Sequence, residues 1–571
     1  MTASLLDTQK PKRTRTNVKQ SKYGCFTCKA RRIKCDEAKP TCRRCQSSKR
    51  ECKGYPRGAL LDLSTTSLLP LSTSPATPLS SLNSSQTGSP LTIIGFEPSC
   101  LSSPFVDLAC NILIQSPRRG RNDVEQSFWT RTVPQLVHTV PSVRAAVETF
   151  GASVNEYVLR VDSSHSGLET TKRYTQALRM VQHDLLTLPH GPIPCIIACL
   201  FLAFSEAMQQ KLDNGLLHLL GAFSIILSQT DKTLLADVDT KSLSLLLQKL
   251  DLHVATYGIC HPPELPAHPP VTRTMVESLP PDQALFKILH SCYHFNAEAF
   301  TYKYTTRRAI PPEMLIEQGR QLATLRLWLS RHELPATWDT NEDEPLVVLR
   351  SQCLTALIHT ATILEPRETG YDCYGPEFEE IVTTIEALLL KKALQTDPFI
   401  SSLGQLPTFI PEMGIIHPLY YTAKKYRNRF WRRRALNLIL RCGKEGPWCA
   451  KTEGLMVELI IRIEEGAFDR ASLDLSGGED PIQDSPFNIP EKSRVNACWP
   501  IDPDAETRGP DEVVKQKFTS GILYRCTDVD RLMADEEGQK PRKWPWEESM
   551  WWESWTEPLE NKALPFVHRR F

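Results

Sequence analysis

Six cysteines within 28 residues near the amino terminus are the side chains best suited to do chemistry. They follow the pattern C-x2-C-x6-C-x6-C-x2-C-x6-C, and a shift of 17 residues superposes the first three on the last three. These residues are Cys25, Cys28, Cys35, Cys42, Cys45 and Cys52. A structural zinc ion takes four ligands in a tetrahedron, so two separate ions would need eight thiolates. Six thiolates suffice for two Zn²⁺ ions if one from each half binds both, and the repeat makes Cys25 and Cys42 the expected bridging ligands.

The segment that carries these cysteines has little else to bury. Between the first and the last cysteine, its other apolar residues are Phe26, Ala30, Ile33 and Ala38. Folding energy must therefore come from metal binding, which supplies about 10–16 kcal/mol in small zinc peptides. Three disulfides are the alternative. We disfavour them because the amino terminus shows no secretory h-region, and cysteines inside the cell stay reduced.

Basic residues are concentrated in this part of the chain. Four of the six residues between the second and third cysteines are Lys or Arg, whereas the equivalent segment 46–51 is milder. Residues 1–57 hold 17 Lys and Arg against four acids, which leaves 50 basic and 62 acidic residues of the totals of 67 and 66. An excess of basic residues in 1–57 and of acidic residues beyond them favours a polyanionic partner for residues 1–57 alone. We expect the first half of the repeat to face that partner.

Residues 23–45 resemble the hallmark of the fungal binuclear zinc-cluster, Zn(2)-C(6), transcription factors. The shared features are the spacing of all six cysteines, the basic run before the third, the pair Cys35-Asp36, and Pro40. The resemblance implies that the first helix enters the major groove of DNA and reads a CGG-type triplet through its basic residues. The triplet-reading position is usually lysine in the family and is Arg32 in this chain. Arginine is the commonest bidentate partner of guanine.

The basic residues divide into three expected roles. Base and groove contacts are assigned to Arg31, Arg32 and Lys34. The side chains expected to position the module on DNA phosphates are Lys29, Lys39, Arg43, Arg44, Lys49 and Arg50. A further basic run lies in the polar arm, and it predicts nuclear import or additional DNA charge: Lys10, Lys12, Arg13 and Arg15. The predicted partner is double-stranded DNA and the predicted location is the nucleus.

Beyond about residue 96, apolar residues recur at helical spacing. One such stripe comprises Val143, Val147, Phe150, Val154 and Val158, in a helix that opens with Pro141-Ser142. A second stripe begins at Tyr174, and further helices are expected at about 192–208, 213–229, 240–256, 282–303, 345–364, 376–395, 418–441 and 452–465. Alternating Val, Ile and Thr runs are scarce, so the pattern predicts an all-α body. The longest apolar stretch, 194–204, is too short for a membrane span.

The predicted fold class is a small metal-stabilised binuclear zinc cluster plus a large all-α regulatory domain, with a disordered arm and linker. The predicted parts are a disordered basic arm (1–22), the zinc cluster (23–55), a Ser/Thr/Pro-rich linker (56–95), the all-α body (96–483) and a Trp-rich acidic tail (484–571). Prolines in the linker forbid a leucine zipper there, so dimerisation stays open and would have to use the body.

The body resembles, more weakly, the regulatory domain that accompanies such clusters in filamentous fungi. The segments that carry this resemblance are Phe128-Trp129 with residues 138–147, and Arg433-Arg434-Ala435-Leu436 with residues 444–448 and 463–465. The body has no G-x-S-x-G, H-E-x-x-H, G-x-G-x-x-G or P-loop motif, so an enzyme is not expected.

Two other segments have alternative interpretations. Residues 424–434 place seven cations among three aromatic residues. They suggest either a second nucleic-acid patch or, as we prefer, an amphipathic helix with its cations facing solvent or acidic partners. The acidic, tryptophan-rich tail suggests either an activation segment that binds a coactivator or a lid that packs on the body.

The leading hypothesis is a nuclear, sequence-specific regulator of RNA polymerase II transcription, with coactivators or corepressors as candidate partners. The alternatives are an adaptor whose cluster binds DNA only weakly, and an enzyme fused to a zinc cluster.

Overall fold

The structure is a computed structural model in which two compact units are resolved, 1–95 and 96–571. The described residues of the first unit are 25, 27–28, 31, 33–36, 41–48, 50 and 52. Those of the second unit are 103–115, 127–159, 166–228, 238–257, 261–267, 269–335, 340–395, 409–466, 489–501, 520–534, 541 and 552–558. The predicted arm and linker lie outside the described residues, and the predicted domain boundaries stay predictions.

The first unit contains helix α1, Arg43–Ser47. The second unit begins with helices α2 (Pro104–Gln115), α3 (Val133–Thr139), α4 (Pro141–Leu159), α5 (Ser166–Thr187), α6 (Pro192–Met208), α7 (Leu212–Leu227) and α8 (Val238–Ala255). It continues with α9 (Arg273–Ser278), α10 (Pro281–Phe300), α11 (Pro312–Arg331), α12 (Thr340–Thr362), α13 (Gly375–Gln395), α14 (Ile416–Lys425), α15 (Arg429–Ile439), α16 (Ala450–Glu464) and α17 (Val529–Ala534). The prediction of a mostly helical body is confirmed.

The first layer of helices packs around α4 and α6. Four residues of the stripe predicted in α4, Val143, Val147, Phe150 and Val154, are fully buried, and the side chain of the fifth, Val158, lies outside the described ones. Helix α6 follows Gly191, which has a φ of 77°, and every residue from Pro194 to Met208 is buried. A helix that is apolar on all sides belongs in the centre of a core. Helix α2 crosses α4 at Gly151, where a Cβ atom would lie 1.9 Å from the carbonyl oxygen of Phe105, so this approach requires glycine.

Helices α12 to α16 form a second core. In this core the structure has two helices where the sequence predicts one. The sequence predicts a single helix over 418–441, but α14 ends at Lys425 and α15 begins at Arg429. The break occurs because Asn428 is an N-cap: its side-chain oxygen accepts a hydrogen bond of 3.2 Å from the N–H of Trp431. Asparagine is among the strongest N-cap residues. Four of the seven basic residues of this segment are buried: Lys425, Arg427, Arg432 and Arg433.

The body also contains two small sheets that the sequence pattern does not predict. In one, β1 (Phe409–Ile410) pairs in parallel with β2 (Lys444–Glu445), which forms a hairpin with β3 (Trp448–Cys449). In the other, β4 (Ala497–Ile501), β5 (Ser520–Cys526) and β6 (Trp552–Pro558) are antiparallel. The all-α prediction is therefore corrected in this detail: the strands are short and, apart from the β2–β3 hairpin, their partners lie far along the chain.

The second sheet lies in the region predicted as a tail. Val495, Cys498 and Leu523 from this region belong to the core built by α12 to α16. Trp499 stacks on Tyr524 with ring centroids 4.9 Å apart. The described residues of the tail therefore complete the body. Among the described helices, none combines the length and apolar composition needed to cross a bilayer.

Candidate metal centre and nucleic-acid interface

The structure brings all six predicted zinc ligands together. Five of the cysteines are buried, and Cys52 is partly exposed at the edge of the cluster. The Sγ atom of Cys25 lies 3.6 Å from that of Cys42 and 3.7 Å from that of Cys45. Thiolates bound to one zinc ion at about 2.3 Å in a tetrahedron are about 3.8 Å apart. The sulfur spacing therefore fits zinc and is too long for disulfide bonds, whose sulfurs are about 2.05 Å apart.

The thiols form two groups of four that share two members. One group is Cys25, Cys28, Cys35 and Cys42, and the other is Cys25, Cys42, Cys45 and Cys52. Within each group, the sulfur atoms lie within 4.8 Å of one another. Each group could hold one metal ion, and Cys25 and Cys42 belong to both.

Burial favours the neutral form of the cluster thiols. Loss of hydration raises the pKa of the Cys25 thiol to about 12, and the pKa values of Cys28 and Cys42 are also raised by desolvation. Close-packed thiols without a metal would therefore stay protonated at neutral pH. Two Zn²⁺ ions would stabilise the thiolates, which couples metal binding to folding.

Backbone hydrogen bonds repeat the symmetry seen in the sequence. The N–H of Cys28 donates to Sγ of Cys25 at 3.3 Å, and the N–H of Cys45 donates to Sγ of Cys42 at the same distance. Asp36 adds a connection between the halves, since its carboxylate accepts hydrogen bonds from the N–H groups of Arg43 and Arg44, at 2.9 and 3.2 Å. Desolvation opposes ionisation of Asp36, but these two donors hold the pKa of its carboxyl below the ordinary value. Asp36 thus fixes the start of α1.

The described basic residues of the module point outward. Arg31, Lys34, Arg43 and Arg44 are exposed. Arg31 is ordered by the second half of the repeat: its Nη1 donates to Oγ of Ser48 at 2.9 Å. Seventeen residues separate the two, so they occupy equivalent positions in the two halves. The sequence motifs do not identify Ser48 as a site residue. The 17-residue repeat could have identified it as the equivalent of Arg31.

Several predicted site residues lie outside the described part of the chain. They are the DNA-contact candidates Lys29, Arg32, Lys39 and Lys49, and the import candidates Lys10, Lys12, Arg13 and Arg15. Their roles stay predictions.

Residues 23–59 match the fungal Zn(2)-Cys(6) binuclear cluster domain. The amino-terminal module is therefore a member of this class of DNA-binding domain, which binds two zinc ions. The match covers a small part of the chain, and no solved structure matches the chain.

The chain is similar to fungal proteins whose names describe them as transcription regulators. An uncharacterised transcriptional regulatory protein of Schizosaccharomyces pombe is 31% identical over 140 residues, 24% of each chain. The transcriptional regulatory protein moc3 of the same yeast is 54% identical over 52 residues, 9% of each chain. An aspercryptin biosynthesis cluster-specific transcription regulator of Emericella nidulans is 61% identical over 36 residues, 6% of each chain. The chain thus spans about a quarter or less of the length of these relatives.

The second basic segment, 424–434, has four buried cations that are paired with acids: Lys425, Arg427, Arg432 and Arg433. The Lys425 ammonium contacts both carboxylate oxygens of Glu368, at 2.8 and 2.7 Å. Arg427 bonds to Glu368 and to Glu464, each at 3.0 Å, and Arg432 bonds to Glu464 at 2.8 Å. Burial opposes ionisation of Glu368, but Lys425 and Arg427 overcome it and hold the pKa of this carboxyl at about 2.

This buried network decides between the two interpretations of the segment. Side chains whose charges are satisfied inside the body are not available to DNA phosphates, so the nucleic-acid patch is wrong for the four buried cations. The preferred interpretation is right in naming acidic partners. Its geometry is wrong in part, because Arg432 and Arg433 are buried while Phe430 and Trp431 are only partly covered. Tyr426 is buried and Arg429 is exposed, as that interpretation expects.

Proposed function

We propose that this protein is a sequence-specific regulator of RNA polymerase II transcription that binds double-stranded DNA in the nucleus. The observation that carries the proposal is a two-zinc ligand set whose exposed neighbouring side chains are cationic. Cationic groups on one module supply the phosphate contacts on which DNA affinity depends. The relatives are described as transcription regulators, which agrees with the prediction that the chain is not an enzyme.

In this proposal Cys25 and Cys42 bridge the two zinc ions. Arg31, Arg32 and Lys34 contact bases and the groove, and the triplet read is CGG-like. The residues that position the module on phosphates are Lys29, Lys39, Arg43 and Arg44. The hydrogen bond from Arg31 to Ser48 supports a reading role, since it uses one of five guanidinium donors and leaves a two-donor edge for guanine.

Fluorescence anisotropy with the zinc-loaded full chain tests the proposal. A duplex containing CGG should bind more tightly than a scrambled duplex at physiological salt. Arg32→Ala should weaken binding to the preferred duplex by about 1–3 kcal/mol, whereas Arg44→Ala should weaken both duplexes alike. Equal affinity of the wild-type chain for the two duplexes would favour the adaptor hypothesis. Indiscriminate loss in both variants would refute the division of roles.

Nuclear import through the arm has its own test. Replacement of Lys10, Lys12, Arg13 and Arg15 by Gln should shift a fluorescently tagged chain from the nucleus to the cytoplasm. An unchanged distribution would leave the four residues with a DNA-charge role at most.

We also infer that residues 484–571 act as a lid of the body rather than as a free activation segment. Arg494 supports this, because it is fully buried and bonds to both oxygens of Asp372, at 2.8 and 2.7 Å. Trp552 supports it too, with its ring centroid 5.0 Å from that of Tyr304. Deletion of 484–571 should therefore abolish cooperative unfolding of the body. A truncated chain that still unfolds cooperatively would refute the inference that these residues act as a lid.

A further inference from the structure

The exposed apolar side chains of the body are concentrated on two helices. Among the described residues, eight large apolar side chains are exposed, and six of them lie on α5, directly after it, or on α7. These six residues are Leu168, Leu185, Leu186, Leu188, Leu217 and Leu227. Leu186 exposes 87% of its surface and Leu217 exposes 66%. Exposed apolar residues that cluster in this way mark interaction surfaces on soluble proteins.

The topology brings the ends of these two helices together. Three residues connect α6 to α7, and a Cβ on Gly215 of α7 would lie 3.3 Å from the carbonyl oxygen of Ala203 in α6. The two helices therefore form an antiparallel hairpin. The end of α7, with Leu227, lies beside the start of α6 at Pro192, and Leu188 precedes that proline by four residues.

Helices α5 and α7 also contact each other along their length. The hydroxyl of Tyr174 in α5 lies 2.8 Å from Nε2 of His218 in α7. Leu217 precedes this histidine on the outer side of α7. The end of α5 and the outer side of α7 therefore adjoin, and we name their exposed leucines the leucine surface: Leu185, Leu186, Leu188, Leu217 and Leu227.

The leucine surface lies on segments that carry no charge. No Lys, Arg, Asp or Glu occurs in residues 185–205 or in residues 214–228. The outer face of a surface helix normally carries charged side chains, and α7 departs from that pattern from Asn214 to its end. The exposed residues of this stretch of α7 are Asn214, Leu217, Ser224 and Leu227. A partner for this surface must also be uncharged, because burial of an unpaired charge is costly.

The outer face of α7 has a glycine near its centre. Gly221 lies about one turn after Leu217 and about one turn before Ser224. Apart from its chain neighbours and the backbone of its own helix, no atom of the described residues lies within 4 Å of the position that a Cβ of Gly221 would take. Glycine in a helix is less stable than alanine by about 1 kcal/mol, and no contact among the described residues accounts for it here. The face thus has a large residue beside two small ones, a shape that fits its own copy.

We propose that the leucine surface, with the outer face of α7, is the interface of a two-fold symmetric dimer of this chain. In this dimer two copies of α7 cross in opposite directions at Gly221, so that Leu217 of one copy packs over Ser224 of the other. A two-fold axis places residues near it against their own copies, where like charges would repel each other. The lack of charge therefore favours a second copy as the occupant. This interface is independent of the DNA-binding proposal.

Sedimentation equilibrium of the zinc-loaded full chain tests the interface without any mutation. At about 10 µM the chain should have twice the mass of one copy, and it should dissociate on dilution. The mass of a single copy at this concentration overturns the proposal.

Two substitutions of exposed apolar residues assign the association to this surface. Leu217→Asp would place two carboxylates close together in the interface, so it should weaken association by about tenfold or more. The variant should fold, because the side chain that it replaces is exposed. Ile316→Asp is the matched control, since Ile316 exposes 73% of its surface on α11, and it should associate as the wild-type chain does. Wild-type association of Leu217→Asp, or an equal loss in both variants, overturns the proposal.

A pair of glycine substitutions tests the close approach of the two helices. Gly319 in α11 matches Gly221, since the described residues place no atom beyond the local helix backbone within 4 Å of its Cβ position either. Leucine has a higher helix propensity than glycine, so both variants should fold. Gly221→Leu should weaken association by about tenfold or more, because it fills the crossing point, whereas Gly319→Leu should not. Equal association of the two variants would place the contact elsewhere and overturn the proposed interface.

Discussion

Two basic segments of this chain have similar composition but differ in the solvent exposure of their basic side chains. The described cations of the zinc module are exposed, whereas Lys425, Arg427, Arg432 and Arg433 of the body are buried. The module has no core in which a charge could be hidden, and the described residues of its cluster are almost all cysteine. The body brings Glu368, Glu464 and Glu465 to its cations from distant parts of the chain. A basic run therefore indicates a nucleic-acid surface only where the fold offers it no acidic partner.

Removal of zinc should give the largest difference between the two regions. A strong chelator should unfold the module and abolish DNA binding, since metal supplies about 10–16 kcal/mol of folding energy. The body should be unaffected, because among the described residues only the six cysteines form metal-ligand groups. All 11 tryptophans lie at or beyond residue 129, so their fluorescence reports the body alone. The comparison fails if chelation shifts the thermal transition seen by tryptophan or leaves DNA anisotropy unchanged.

Glu464→Gln should break the buried network and spare the module. Arg427 and Arg432 would each lose a partner inside the body, and removal of one member of a buried ion pair is destabilising by about 3–5 kcal/mol. Urea unfolding followed by tryptophan fluorescence measures the loss, with Glu298→Gln as a control that should match the wild type. A loss below about 1 kcal/mol would mean that the buried pairs do not stabilise the body.

Acid should weaken the same network. The pKa of Glu368 is about 2 in the folded chain, below its ordinary value of 4.5. Its contribution is therefore complete above about pH 4.5 and is lost as the pH falls toward 2, a change of about 3 kcal/mol. The midpoint of urea unfolding, measured by tryptophan fluorescence, should fall between pH 5 and pH 3. A constant midpoint over that range contradicts the assignment.

Ser48→Ala should have the smallest effect. It tests the role of one exposed cation, Arg31, in DNA binding. The variant removes one neutral-to-charged hydrogen bond, so preferred DNA should bind more weakly by about 1 kcal/mol. Binding to scrambled DNA should hardly change, because the charge of Arg31 is retained. Ser47→Ala is the matched control, since Oγ of Ser47 bonds only to the carbonyl oxygen of Arg44 in its own helix. Equal losses on both duplexes would remove Ser48 from the reading mechanism.

The metal site could be predicted from the sequence because its information is local. Ligand count and spacing within 28 residues are enough to require sharing, and the two thiol groups of the structure have Cys25 and Cys42 in common. Helix α6 is equally local, and its predicted bounds, 192–208, match the structure.

The remaining features depend on partners distant in sequence. Strand β5 pairs with β6, so that Ser520 faces Pro558, and no short-range pattern predicts this register. The spacing of apolar residues also fails to predict α11, in which polar Gln321 occupies a buried position. The ion pairs of the body could not be predicted for the same reason, since Glu368 lies 57 residues from Lys425.

The placement of Arg494 and Leu523 inside the body has a consequence for synthesis on the ribosome. The zinc module is complete once its sixth cysteine has emerged, and it can fold while the rest of the chain is still being made. The body must wait for residues beyond 520, because Leu523 belongs to its second core. During that interval the acids and arginines of the buried network lack their full set of partners. We therefore expect nascent chains that stall before residue 494 to carry a working DNA-binding head on an unfinished body, a form on which chaperones and proteases would act.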